Sequence, residues 1–194
     1  MSRYRTRSWR AFDPRAEAAR PVPAATVRIL GVDPGSRRTG FGVIECRGGD
    51  YTHVAHGCIA VAELEVAQRL RRIFDSLQAL IHEHEPGEIA VERVFVNRNV
   101  QSALKLGQAR GAALCAVPQG LPVFEYAPRA IKLALVGSGA AEKSQVAHMI
   151  KTLLHLDGKI PADAADALAI AVCHAHSRRL RQLAAQPGAQ ARLE

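Results

Sequence analysis

The sequence predicts an α/β protein in which a five-stranded mixed sheet is flanked by helices. Three observations lead there. Short apolar, β-branched runs recur along the chain, as at Val27–Val32 and Glu88–Val91. Between the later ones lie longer stretches whose apolar residues return every three or four positions, the period of a helix. Two of the short runs end abruptly on a carboxylate, Asp33 and Glu92.

Ordered structure is expected from Thr26–Val27. Val27, Ile29, Leu30 and Val32 form a buried first strand that ends on Asp33 and is broken by Pro34–Gly35. A second strand, Phe41 to Cys46, turns at Arg47–Asp50 into a third, Tyr51 to Val61, making an antiparallel meander. Val66, Leu70, Ile73, Leu77, Leu80 and Ile81 then mark the buried stripe of a long helix, stopped by Pro86–Gly87. Strand four runs from Glu88 to Val91 and ends on Glu92. A helix over Val100 to Val117 leads to strand five, Val123 to Tyr126. Helical stretches near Pro128–Val136 and Glu142–Leu156 are joined by Gly137–Ser138–Gly139, and a last helix opens at Pro161 and runs to about Leu183.

The chain divides into a basic arm over residues 1–26 expected to be disordered, one domain over 27–183, and a flexible Gln/Pro/Gly/Ala tail over 184–194. For the Arg-rich arm, a dispensable tail, a start codon placed too far upstream and a transit peptide are alternatives, the last with too poor an apolar face. Lys and Arg number 26 against 18 Asp and Glu, a formal charge of +8. Such an excess points to a polyanionic partner, nucleic acid ahead of an anionic membrane surface. Arg3, Arg5, Arg7, Arg10, Arg15 and Arg20 hold much of it, so the rest is only mildly basic. Cys46, Cys58, Cys115 and Cys173 form no CxxC pair and each sits in or beside an apolar stretch, as reduced core thiols would. No apolar run approaches the roughly 20 residues of a membrane span, and the start lacks the apolar core of a secretory signal. A soluble, cytoplasmic protein is expected.

The element order βββαβαβα resembles the ribonuclease-H-like fold, whose sheet order is 3-2-1-4-5. In such a sheet strand one lies between strands two and four, a topological switch point where ligands bind beyond the carboxyl ends of strands. Asp33 and Glu92 end those two strands. Asp163 and Asp166, three apart near the start of the last helix, share a face that continues to Ile170 and Cys173. Carboxylates heading an apolar stripe are costly to bury without positive charge beside them. An oxygen-only donor set suits Mg²⁺, with Mn²⁺ able to substitute, rather than zinc. Singly, each acid has an ordinary explanation. Asp33 could be a turn residue, Glu92 could pair with Arg93 or Arg98, and the two helix acids could complement the dipole. One topology that brings all four to one pocket is harder to dismiss.

GVDPGSRRTGFGVIE (31–45), VERVFVNRNVQSALKLGQARGAAL (91–114), PVFEYAPRAIKLALVGSGAAEKSQV (122–146) and ADAADALAIAVCHAH (162–176) are similar to the RuvC family of Holliday-junction resolvases. The resemblance runs in order, with compatible spacings, from about Arg28 to His176. It implies a homodimeric endonuclease that resolves four-way DNA junctions in recombination and repair by symmetric metal-dependent nicking, with two ions per active site. The family's catalytic, metal-binding acids would be Asp33, Glu92, Asp163 and Asp166, although some members carry histidine at the third. Phe95 would stack against bases opened at the crossover, with Arg93 and Arg98 beside it as candidate DNA contacts. Lys132 and Lys143, expected near helix ends, would contact phosphates, and the dimer contact would run along Gln101 to Ala113. The resemblance also implies partnership with the RuvA–RuvB branch-migration complex.

Gly31, Gly35, Gly40 and Gly42 make no GxGxxG or P-loop pattern, so no nucleotide cofactor follows. His82/His84 and His174/His176, two apart on helices, are expected to point different ways as surface or core residues. Three other functions compete: a catalytically silent junction-binding scaffold, an actin-like or sugar-kinase-like ATPase suggested by DPGSRRTG, and a related nuclease acting on RNA or linear DNA. The full acidic set opposes the first, and the chain is too short for the duplicated domain of the second.

Overall fold

A computed structural model describes residues 25–93 and 100–184. The expectations for the N-terminal arm through residue 24, for Phe95 and Arg98, and for the tail from residue 185 concern residues outside those described. Strands β1 (Val27–Asp33), β2 (Arg38–Arg47), β3 (Asp50–Ala60), β4 (Glu88–Glu92) and β5 (Val123–Tyr126) form one sheet in the order β3-β2-β1-β4-β5. β1 is antiparallel to β2 and parallel to β4. The sheet lies between two helical layers. Helices α1 (Val66–His84) and α2 (Val100–Cys115) cover one face. The other carries α3 (Pro128–Val136), α4 (Lys143–Leu153) and α5 (Ala162–Ala184).

The two-residue period of the strands decides which side chains face which layer. On β1, Leu30 and Val32 join the core beneath α1 and α2, whereas Ile29 joins the core beneath α5. On β4, Ile89 and Val91 face α1 and α2, and Ala90 faces α5. Continuing each alternation by one residue puts Asp33 and Glu92 on the α5 side, beyond the last core residues. The β1–β4 register, with Val32 opposite Val91, makes the two acids neighbours.

α5 meets the sheet through small residues. Its buried residues include Ala164, Ala165, Ala167, Ala169, Ala171 and Ala175, and β1 and β2 meet it with glycines. A Cβ added to Gly31 would lie 2.1 Å from the Ala167 carbonyl oxygen, and one added to Gly40 would lie 2.0 Å from that of Asp163. These are backbone contacts that no side-chain rotation relieves. Small residues on both partners set the height of the helix above the strand ends.

Several boundaries differ from expectation. β2 begins at Arg38, three residues earlier than the sequence suggests, because Gly40 pairs with Asp33 and Thr39 is buried against Gly35. α2 ends at Cys115 rather than Val117. The Glu142–Leu156 helix is shorter, Lys143–Leu153, since Glu142 is its N-cap in a reciprocal capping box with Gln145. Gly137, at φ 72°, caps α3, a conformation that favours glycine. The cysteine expectation holds for Cys46 and Cys173 only: Cys58 is half-buried and Cys115 is exposed. Among the described residues no helix is long and apolar enough to cross a membrane.

Candidate active site

Asp33 and Glu92 leave adjacent parallel strands at their carboxyl ends, and α5 passes across those ends. With α2, α3 and α4 these elements line a pocket of about 540 Å³ that holds Asp33, Glu92 and Asp166, with Lys132 and Lys143 among its walls. Three of the four predicted acids therefore meet in one cavity. Asp163, a turn earlier on α5, opens onto an adjoining cleft with Ser36, Arg37 and Arg38, although its charge still reaches Asp33.

The electrostatics are those of crowded like charges. Burial, then the negative charges of Glu92 and Asp166, push the Asp33 carboxyl up to about 7 against the partial relief of Lys143. Glu92 is raised by burial and by Asp166, again opposed by Lys143. Lys143, largely exposed, places Nζ 2.7 Å from Asp166 Oδ2, and that hydrogen bond raises its own pKa. Oxygen-only donors whose ionisation is resisted by one another fit a divalent cation, which would supply the missing positive charge. Among the described residues no three potential ligands are drawn tightly around a single point; Asp166 is turned toward Lys143.

The basic residues are placed unequally. Lys143 opens α4, as expected of a residue at a helix end, but Lys132 lies mid-helix in α3, facing the pocket from its wall. α3 has the bounds expected for it, Pro128–Val136, and these put Lys132 at its middle rather than at an end. Arg93 also lines the pocket; its N–H donates to the Tyr126 carbonyl at 2.7 Å, and its Nε lies 3.8 Å from Glu125 Oε2. Glu125 in turn pairs with Arg110 on α2.

At the opposite end of β4 the sequence concealed a polar core. His174 on α5 is fully buried, with Nε2 2.5 Å from Glu88 Oε2 and Nδ1 2.7 Å from the Tyr126 hydroxyl. Arg178 donates to the other Glu88 oxygen at 2.9 Å. His176 points elsewhere, to the Ala134 carbonyl and the edge of Tyr51. The network ties α5 to β4 along the same axis that relates Asp166 to Glu92. Nothing in the spacing of the histidines signals it, because the partners come from distant elements.

The family model for crossover junction endodeoxyribonuclease RuvC matches residues 29–174, which contain every acid of the pocket. The chain belongs to the RuvC family. It is 54% identical over 161 residues to the RuvC of Shewanella piezotolerans, covering 82% of this chain and 92% of that one. Identity to the RuvC of Marinobacter nauticus is 54% over 165 residues, 84% of this chain and 94% of the relative. Among solved structures, Thermus thermophilus RuvC in complex with a Holliday-junction substrate matches with TM-score 0.75 and 34% identity, covering 80% of this chain and 96% of the other. The yeast mitochondrial Holliday-junction resolvase shares the fold at TM-score 0.59 and 13% identity, over 87% and 88% of the two chains. The ribonuclease-H-like sheet order expected from the sequence is the order observed. The glycines of β1 and β2, which form no nucleotide-loop pattern, let α5 approach the strand ends closely.

Proposed function

We propose that this protein resolves four-way DNA junctions by metal-dependent phosphodiester hydrolysis, with Asp33, Glu92, Asp163 and Asp166 as its catalytic acids. The observation that carries the reading is the meeting of Asp33, Glu92 and Asp166 with Lys132 and Lys143 in one pocket at the switch point of the sheet. Membership of the RuvC family supports the choice of substrate.

Two divalent cations, Mg²⁺ by preference and Mn²⁺ as a substitute, would supply an activated water and a charge clamp on the phosphate. Asp33, which lies between β4 and α5, would help to hold both cations. Glu92 would complete one side, and Asp166 with Asp163 the other. Lys143 offsets the negative cluster and, with Lys132, offers charge to the phosphodiester. Displacing the Lys143 ammonium from Asp166 would free that carboxylate for a cation. Arg93 and, by their place in the sequence, Arg98 and Phe95 would hold the opened junction strands at the pocket mouth, Phe95 by stacking on a base.

Symmetric nicking needs two such sites. α2 leaves Val100 76% and Leu104 63% exposed, and among the described residues nothing lies within 4 Å of a Cβ added at Gly107 or Gly111, where a partner helix could approach. We therefore propose a homodimer through α2. Cooperation with the RuvA–RuvB branch-migration complex and a cytoplasmic location rest on the family resemblance.

The test is cleavage of a synthetic mobile four-way junction with and without Mg²⁺, mapped on all four strands. Paired nicks at symmetric positions on opposed strands are expected, with none in plain duplex or single strands. Asp33→Asn should lose cutting while retaining junction binding. Equal cleavage of linear duplex, or binding lost with the acid, would overturn the assignment.

A further inference from the structure

The carboxylate pocket does not end at its own wall. Gly35 and Leu106 line both it and a second cleft of about 670 Å³, whose other walls are Ser36, Arg37, Arg38, Ala62, Glu63 and Asp163. The two concavities therefore meet across Gly35 and Leu106. Lys132 and Lys143 belong to the first alone, and Arg37 and Arg38 to the second alone.

The segment carrying these arginines is held in place. The Val61 N–H donates to the Arg37 carbonyl at 3.0 Å, tying the loop to the end of β3. The Gly35 N–H donates to the buried Thr39 hydroxyl at 3.4 Å. Gly35 itself packs so closely on Arg38 that an added Cβ would lie 2.0 Å from the Arg38 carbonyl oxygen. Both guanidinium-bearing residues are exposed. Neither joins any of the ion pairs between described residues; Arg28, Arg71, Arg93, Arg110 and Arg178 all do. Two cations on an anchored backbone, sharing the cleft with Glu63 and Asp163 but ion-paired with neither, remain available to a phosphate, and a guanidinium can grip its oxygens with two parallel donors.

We propose that Ser36, Arg37 and Arg38 form a second phosphate-binding subsite, which takes the nucleic-acid strand as it leaves the carboxylate pocket past Asp163. The inference rests on the reading of the protein as a junction nuclease and adds the path of the strand. The scissile strand would then be gripped on both sides of the acids, by Lys132 and Lys143 on one and by the two arginines on the other. Asp163, on the wall of the second cleft with the two arginines, would meet the strand there.

The experiment measures binding of the full chain to a fluorescein-labelled four-way junction across a salt series, with Ca²⁺ in place of Mg²⁺. Arg37→Ala/Arg38→Ala is compared with wild type, with Arg37→Lys/Arg38→Lys, and with the charge-matched surface control Arg47→Ala/Arg72→Ala. Each phosphate contact contributes about 0.9 to the slope of log affinity against log salt, so losing two lowers the slope by about 1.8. Between 50 and 200 mM salt the double alanine variant should therefore lose about tenfold less affinity than wild type. The lysine variant should recover most of the slope, and the control should keep it. A wild-type slope in the Arg37/Arg38 alanine variant, or an equal fall in the control, overturns the subsite while leaving the nuclease reading intact. Failure of wild type to bind the junction removes both.

Discussion

Lys143 Nζ sits 2.7 Å from Asp166 Oδ2, so the first residue of α4 neutralises an acid of α5 at the centre of the pocket. The same ammonium lowers the carboxyls of Asp33 and Glu92 against burial and mutual repulsion. Removing it has two separable consequences. Lys143→Met should raise the Asp33 carboxyl of the metal-free protein above about 7, because a charge that lowers it is removed. It should also lower the salt slope of junction binding by about one unit. An NMR titration of the metal-free carboxyls from pH 5.5 to 9, alongside a salt titration of binding, reads both. An unmoved Asp33 midpoint would show that Lys143 does not tune the acids.

Asp33→Asn should stabilise the metal-free protein above neutrality. The Asp33 carboxyl stands at about 7 when folded, against an ordinary value of 3.8. Between those values the folded state binds more protons than the unfolded state. Stability therefore falls as pH rises through that window, and the cost is complete above about pH 7. The variant should melt higher than wild type at pH 8, by on the order of 1–4 kcal/mol, and the gain should vanish near pH 4. Thermal unfolding in EDTA at the two pH values decides the sign, and a less stable variant at pH 8 would contradict it.

Gly40→Ala should damage the site from beneath. Its Cβ would press on the Asp163 carbonyl, which can move only by lifting the start of α5. Overpacking of this kind costs about 1–3 kcal/mol, and displaces Asp163 and Asp166 together. Lower stability in urea, with cleavage reduced beyond any loss of binding, is expected. Wild-type cleavage would mean that the helix height is not critical.

Leu104→Glu should give a monomer. In a two-fold interface the substitution counts twice, so loss of two buried leucines at about 1.5–3 kcal/mol each weakens the dimer by more than a hundredfold. Sedimentation equilibrium measures the association, and junction mapping should show paired nicks replaced by single ones. A stable dimer in the variant would place the subunit contact elsewhere.

Much of this protein was legible before its structure. Alternating and three-to-four-residue apolar periods locate every strand and helix, because each reflects a local geometry imposed by a neighbouring core. Asp33 and Glu92 were legible for the same reason: each ends a buried run, where a carboxylate has little structural purpose. The Asp163–Asp166 pair was legible from helical spacing. That spacing left open which cavity each would enter, and the structure separates them into adjoining clefts.

The remainder was decided by contacts between segments far apart in the chain. His174 meets Glu88 and Tyr126 across 86 and 48 positions, and Arg93 meets Glu125 across β4 and β5. The glycines of β1 and β2 form no nucleotide-binding pattern in the sequence and prove to be the floor on which α5 rests. By itself the sequence determined the elements, through residue type and period, and the family, through its motifs; it also proposed the acids. Tertiary structure alone decided that Asp33 is driven up to about 7, that Lys143 rather than Lys132 engages an acid, and that two clefts join at Gly35. Burial and charge coupling are sums over neighbours, and only the folded chain specifies who the neighbours are.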